Sequence, residues 1–269
     1  MRRRWPSQRH HHRAPVGPAL TADSFLGGGG QFVDRDLRGA RFVRCDFSGV
    51  VLRACILDDV DIDDPWLCNG SVRLVVNGVD VAGLVDAELN RRFPGRELRR
   101  AQTPDGLRQA WSGLQRAWDA AMDRAAAMPA GTTEASVAGE WSFSQTVRHL
   151  VMATDVWLRR TIVGIDQPFH PVGLPHAEYA TDGYDLSVFT NTSPTYPEVV
   201  AARADRVGQV TEFLASVTTG DLAGTHPHPW GPGHEVTAGS AVRTIIGEEW
   251  EHLRYALRDL DAVEASGGS

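Results

Sequence analysis

The spacing of apolar residues changes character along this chain, and each change marks a boundary. Residues 1 to about 30 are rich in Arg, His, Pro and Gly and include His10-His11-His12. They carry too few apolar side chains to offset the entropy of ordering, which predicts a disordered tail over 1–30. From Phe32 onward large apolar residues recur every five positions, at Phe32, Leu37, Phe42, Phe47, Leu52, Leu57 and Ile62. A small or compact residue stands two places before most of them, at Ala40, Cys45, Val50, Cys55 and Val60. A helix repeats about every 3.6 residues and a strand about every 2, so this period belongs to neither. Val72, Leu74, Val75 and Val76, followed by the turn Asn77-Gly78, read as closing strands over 64–80 and extend the segment to 31–80. Val81 to Phe93 takes on helical spacing and stops at Pro94-Gly95, giving a connecting helix and linker over 81–102.

Four longer helices follow over 103–263. Thr103 is an N-cap with Pro104 at the first helical position, and Leu107, Trp111, Leu114, Trp118, Ala121 and Ala125 follow at spacings of three and four until Met128-Pro129. Its tryptophans read as core. Ser142 with Gln145 forms a capping box for a second helix that carries His149, Leu150, Ala153, Trp157 and Leu158 to about Val163. Thr195 with Glu198 forms another, opening a third helix marked by Val200, Val207, Val210, Leu214 and Val217. Between the second and third lies an irregular stretch over 164–194, rich in proline and aromatics, and connections that long are usually functional. The histidine-rich loop over 226–234 is held open by prolines, fits no metal-ligand spacing, and reads as a pocket rim or surface.

The fourth helix holds the candidate chemistry. Ile245, Leu253, Ala256 and Leu260 form its apolar side, while Gly247, Glu251, Arg254 and Arg258 form a solvated one. Glu248 and His252 stand one turn apart at the edge between them, so a carboxylate and an imidazole can converge on one point. Glu249 lies within the apolar arc, and helix geometry alone does not choose between the two glutamates. His149 sits among apolar residues, where a neutral, hydrogen-bonded imidazole is the default unless another helix brings partners to it. The last residues, 264–269, read as a tail.

Composition narrows the function classes. A 269-residue chain with 42% hydrophobic and 23% charged residues is globular, and its net charge of -7 argues against a nucleic-acid footprint. All 27 basic residues are arginine, a bias that points to a GC-rich, actinobacterium-like genome. Three cysteines, Cys45, Cys55 and Cys68, make a disulfide framework improbable and suggest a reducing cytoplasm. No apolar run reaches the ~18 residues of a membrane span, and the N-terminal arginines lack the apolar region of a secretory signal.

Two resemblances add expectations. The five-residue period over 32–63 resembles the pentapeptide-repeat family. That resemblance implies a short right-handed β-helix in which Cys45 and Cys55 point inward as small hydrophobes, serving as a structural appendage, a partner surface or a DNA-mimicking rod. Glu140 through Val151, Phe169-His170-Pro171 and Glu248-Glu249-Trp250-Glu251-His252 resemble the DinB-like superfamily, particularly the branch of mycothiol-dependent maleylpyruvate isomerase and other thiol S-transferases. The whole is then mainly α, a DinB-like four-helix bundle behind the repeat segment. In that family a divalent metal, often zinc, is held by a histidine on the second helix and a Glu-x3-His pair on the fourth, which implies His149, Glu248 and His252 as ligands. Some relatives have a histidine directly after the last ligand, where this chain has Leu253. Trp141, Trp157, His170 and Trp250 are candidate substrate contacts, each also explained by core packing. Arg148 and Arg159 are candidates for holding an anionic substrate, or lie on a solvated face. The resemblance implies a metal-dependent thiol S-transferase or isomerase acting on an electrophilic small molecule with mycothiol or a similar thiol, with no nucleic-acid or membrane partner and a homodimer left open. The alternatives are a non-enzymatic metal-containing binding protein with a repeat-segment interaction surface, and a metal-dependent hydrolase.

Overall fold

The computed structural model describes residues 30–267 except 71, 178, 181–183 and 232. The expected tail over 1–29, with its three histidines, lies outside the described residues, as do 268 and 269. The chain divides into two compact units between Ile62 and Asp63.

The described part of the first unit, 30–62, is built of bends and turns and holds no strand. Its backbone nonetheless repeats: φ is positive at Asp34, Gly39, Arg44, Gly49, Ala54 and Asp59, every five residues, each two places after a large apolar residue. Glycine takes this left-handed conformation freely at two of those corners, whereas Arg44 and Ala54 adopt it against their Cβ. The β-helix expected here is not shown by these residues. Its apolar centres are exposed, from Leu37 at 40% to Ile62 at 59%, and Cys45 and Cys55 are exposed rather than directed inward.

The second unit begins with a small hairpin, β1 (Val75–Val76) and β2 (Val79–Asp80). Asn77 and Gly78, with φ of 50° and 85°, supply the two left-handed positions of its turn. α1 (Ala82–Arg92) follows, then a single 3-10 turn over Arg96–Arg100.

Four long helices make the bundle. α2 (Pro104–Ala127) starts where Thr103 Oγ1 accepts the Gly106 N–H at 3.2 Å, and Leu107, Trp111, Leu114, Trp118, Ala121 and Ala125 are all buried along one stripe. α3 (Phe143–Thr154) starts at the full Ser142/Gln145 capping box. It does not run on as an α-helix to Val163: Asp155–Ile162 is a π-helix, whose wider turns shift side-chain directions beyond Thr154. α4 (Tyr196–Ser216) opens with the Glu198 carboxylate accepting from both the backbone N–H and the hydroxyl of Thr195 at 2.7 Å. A short α5 (Thr219–Ala223) leads into β3 (Thr225–Pro227), paired with β4 (Glu235–Thr237), so part of the histidine-rich loop is a hairpin. α6 (Ala238–Gly267) runs past residue 263, and the expected tail is helical as far as Gly267. Ala262, Glu264 and Ala265 favour helix, and Arg124 pairs with Asp261 and Glu264 at 2.7 and 2.6 Å.

α2 packs on α4 and α6, and α3 packs on the same two, so α2 and α3 lie diagonally across the bundle. The core runs from Leu107 and Trp118 through Val147 and Leu150 to Ile245 and Leu253, with Trp250 sealed among them. The outer side of α6 is not simply solvated. Glu251 takes Arg96 at 3.5 Å and Arg254 at 3.1 Å, and Arg254 reaches Asp63 at 2.7 Å. Among the described residues no helix is long and apolar enough to cross a membrane.

Candidate metal centre

Neighbouring α3 and α6 bring the three candidate ligands together. His252 Nε2 lies 3.4 Å from Glu248 Oε2, and His149 Nε2 lies 3.9 Å from the same oxygen. One donor atom from each residue falls within 4.8 Å of the others. The question left by the helical wheel is answered by burial. Glu249 is 1% exposed and turns into the core to pair with Arg203, which leaves Glu248 on the face toward His149.

The orientation of His149 follows from one hydrogen bond. Its Nδ1 lies 2.9 Å from the Leu174 carbonyl, and a carbonyl oxygen can only accept, so Nδ1 carries a proton and Nε2 is the ring nitrogen turned toward Glu248. The partner is a backbone atom of the long loop, so no side-chain pattern could have announced it. Leu174 is itself placed by its own N–H, which donates to the Arg148 carbonyl at 3.2 Å, and by the Arg148 guanidinium, which donates to the carbonyls of Val172, Asn191 and Thr192. Arg148 is therefore a buried clamp on the loop rather than a solvated or substrate-holding group.

Trp141, fixed beside the N-cap of α3, covers one flank of the trio. Its ring centroid is 4.8 Å from that of His149 and 6.1 Å from that of His252, nearly parallel to the latter at 23°. Tyr255 meets His252 edge-on at 6.0 Å. The side chain of Glu248 is 27% exposed against 10% for His149 and 14% for His252, so the trio opens to solvent on the carboxylate side.

Electrostatics are set by the same contacts. Burial pushes the Glu248 carboxyl up, but hydrogen bonding to His149 and His252 outweighs it and holds the carboxyl well below its ordinary range. Burial pushes the His252 imidazole down, favouring its neutral form. Two imidazoles and one carboxylate, open on one side, form a group that could hold a divalent metal ion. The 3.4 and 3.9 Å separations compare with about 3.4 Å between donors on a tetrahedral ion with bonds near 2.1 Å.

The other candidates fall elsewhere. Trp250 is 2% exposed and packs at 6.4 Å on Phe93, so its core reading stands and it does not line a pocket. Trp157 is half-buried and edge-on to His228 at 5.5 Å, in a second aromatic cluster beneath the long loop with Tyr179, Tyr184 and Trp230. His170 shares no hydrogen bond or ring contact with the trio; its N–H donates to Asp155 Oδ2 at 2.8 Å. Arg159 is tied to Gln209, the Pro168 carbonyl and Asp155.

Asp155, fully buried in the π-helix, had no signature in the sequence. Burial pushes its carboxyl up, while Arg206 at 2.6 Å, the His170 N–H and Arg159 pull it back.

No curated protein and no solved structure matches the chain. One family does: the model of the DinB superfamily matches residues 81–256, which takes in α2, α3, α4, the first part of α6 and the three converging residues.

Proposed function

Because the chain belongs to the DinB superfamily, we propose that it is a metal-dependent enzyme whose metal is held by His149, Glu248 and His252, and that its reaction is thiol S-transfer or isomerisation. The thiol is mycothiol or a similar low-molecular-weight thiol, and the second reactant an electrophilic small molecule. The observation that carries the reading is the convergence of three donor atoms from two helices within 4.8 Å.

A divalent ion bound there supplies the Lewis acidity that favours thiolate over thiol near neutral pH. His149 contributes an Nε2 lone pair because its Nδ1 proton is committed to Leu174. Glu248 adds a single negative charge, too little to cancel a divalent ion, so the site retains attraction for an anionic sulfur. Trp141 shields the imidazoles on one flank, and the exposed Glu248 side is the way in. In this reading the thiol comes from outside the chain.

The test is metal content by elemental analysis of untagged protein, for the wild type, a form lacking residues 1–30 and His252→Ala, followed by turnover of an electrophile panel with and without thiol. About one metal per chain that survives the truncation and is lost in His252→Ala, with product formed only when thiol is present, is the expected result. Wild type that contains no metal and takes up no added zinc refutes the metal centre. Turnover that proceeds equally without thiol makes the protein a hydrolase.

A further inference from the structure

A cleft of about 450 Å³ opens between α4 and the part of the long loop that follows the π-helix. It shares no residue with the trio. Pro171, Val172, Ala201 and Ala202 give it an apolar floor, and His170, Asn191, Glu198, Asp205 and Arg206 supply its polar groups.

The hydrogen bonds already made sort those groups. Arg206 donates through Nε to Asp155 Oδ1 at 2.6 Å and through Nη1 to Asp205, which leaves Nη2 without a partner among the described residues. His170 Nδ1 accepts the Val172 N–H at 3.2 Å. Burial, seconded by the Arg206 charge, lowers its pKa and keeps the ring neutral, so the single ring proton sits on an unpartnered Nε2. Asn191 is bonded through its backbone only, to Pro171 and Arg148, and its side-chain amide is unpartnered among the described residues. The two carboxylates are already engaged: Glu198 Oε2 accepts twice from Thr195, and Asp205 Oδ2 accepts from Arg206 and Gln209. Three uncommitted donors, one of them cationic, thus stand around an apolar floor.

We propose that this cleft is a second binding site, for a small organic monocarboxylate whose carboxylate takes the Arg206, His170 and Asn191 donors while its apolar body lies on the floor. The volume suits a compact ligand. The charge balance disfavours a dianion. Asp155 and Asp205 together offset Arg206 and Arg159, and Glu198 adds one uncompensated negative charge on the rim, so a monocarboxylate is held by its hydrogen bonds and not by net charge, and every further negative charge on the ligand adds to the repulsion. This inference does not depend on the metal reading.

The test is NMR titration of the isotope-labelled full chain with benzoate, benzamide and phenyl phosphate. Benzoate is expected to shift the amides of His170, Val172 and Asn191 saturably. Asn191→Leu, which removes a side-chain donor and leaves the backbone bonds in place, is expected to weaken benzoate about tenfold, as is the neutral amide in place of the carboxylate, from the loss of a charge-assisted hydrogen bond. His170→Phe provides a second variant with the same expected direction. Phenyl phosphate is expected to bind more weakly than benzoate, and His252→Ala to leave benzoate binding unchanged. The proposal is overturned if benzoate leaves the cleft amides unmoved, if benzamide or phenyl phosphate binds as tightly, or if His252→Ala abolishes benzoate binding and so locates it at the trio.

Discussion

The Arg203–Glu249 pair offers the sharpest test of how the bundle is held together. Its members are 3% and 1% exposed, and their side chains meet in the core with the Trp118 ring 5.9 Å from the guanidinium carbon. The pair is under-satisfied: Arg203 Nη1, Glu249 Oε1 and the amide nitrogen of neighbouring Gln115 have no hydrogen-bond partner. Removing one member of such a pair strands the other charge in a low-dielectric interior at a cost of about 3–5 kcal/mol, whereas replacing both with apolar groups of similar volume is neutral or stabilising. Glu249→Gln is therefore expected to lower stability by about 3 kcal/mol or more, a drop of roughly 1 M in the urea midpoint at a slope of about 2–3 kcal/mol per M. Arg203→Met strands a carboxylate instead, and that group can escape by taking a proton. Burial already pushes the Glu249 carboxyl up, and without Arg203 the main opposition to that push is gone. A carboxyl whose folded pKa lies above its unfolded value loses stability as pH rises through the unfolded value, so the Arg203→Met deficit should shrink between pH 7 and pH 5 while that of Glu249→Gln should not. Arg203→Met/Glu249→Leu should recover most of the loss. The assay is urea unfolding of metal-stripped protein followed by far-UV circular dichroism. A Glu249→Gln variant within about 1 kcal/mol of wild type, or a double variant no better than the worse single, refutes the reasoning.

Other outcomes follow from the same structure. Trp141→Ala should leave the helical spectrum intact and weaken zinc by roughly tenfold, measured by competition with a chelator, because the imidazoles lose the ring that packs against both. Asp63 takes two hydrogen bonds from Arg254, at 2.9 and 2.7 Å, and one from Tyr255; burial raises its carboxyl, but Arg254 holds it below its ordinary value. Its contribution of about 1 kcal/mol is therefore present above about pH 4 and lost as pH falls below it, so Asp63→Asn should be destabilised at pH 7 and converge with wild type in acid, as thermal scans across pH would show. Asp155→Asn takes a buried carboxylate from Arg206 and Arg159, leaving Arg206 its Asp205 contact, and should cost about 1–3 kcal/mol in a urea series, with little change in metal content.

How much of this was legible in the sequence varies with the range of the interactions. α2 could be read almost completely, because Thr103, Pro104 and the spacing from Leu107 to Ala125 are local signals, and every residue of that stripe is buried. The capping boxes at Ser142 and Thr195 are equally local, and both form. Two of the three candidate ligands were visible as a one-turn Glu-His spacing on α6; the third needed α3 to pack beside it, and the choice of Glu248 over Glu249 needed the partner Arg203. The π-helix escaped because no composition rule distinguishes it from an α-helix ending near Val163. The five-residue region shows the opposite case: its period is real in the backbone angles, yet period does not guarantee burial, and its apolar centres are exposed.

The consecutive positions Arg148 and His149 have a consequence for timing. One grips the long loop by three of its carbonyls, and the other borrows the Leu174 carbonyl of that loop to fix its own tautomer. An event that peels the loop away therefore also frees the His149 ring to turn, and by reciprocity whatever steadies the ring makes the peeled state rarer. The residence time of anything held by His149 and the exchange lifetime of the Leu174 amide proton should then lengthen and shorten together, so that the loop acts as the clock of the site.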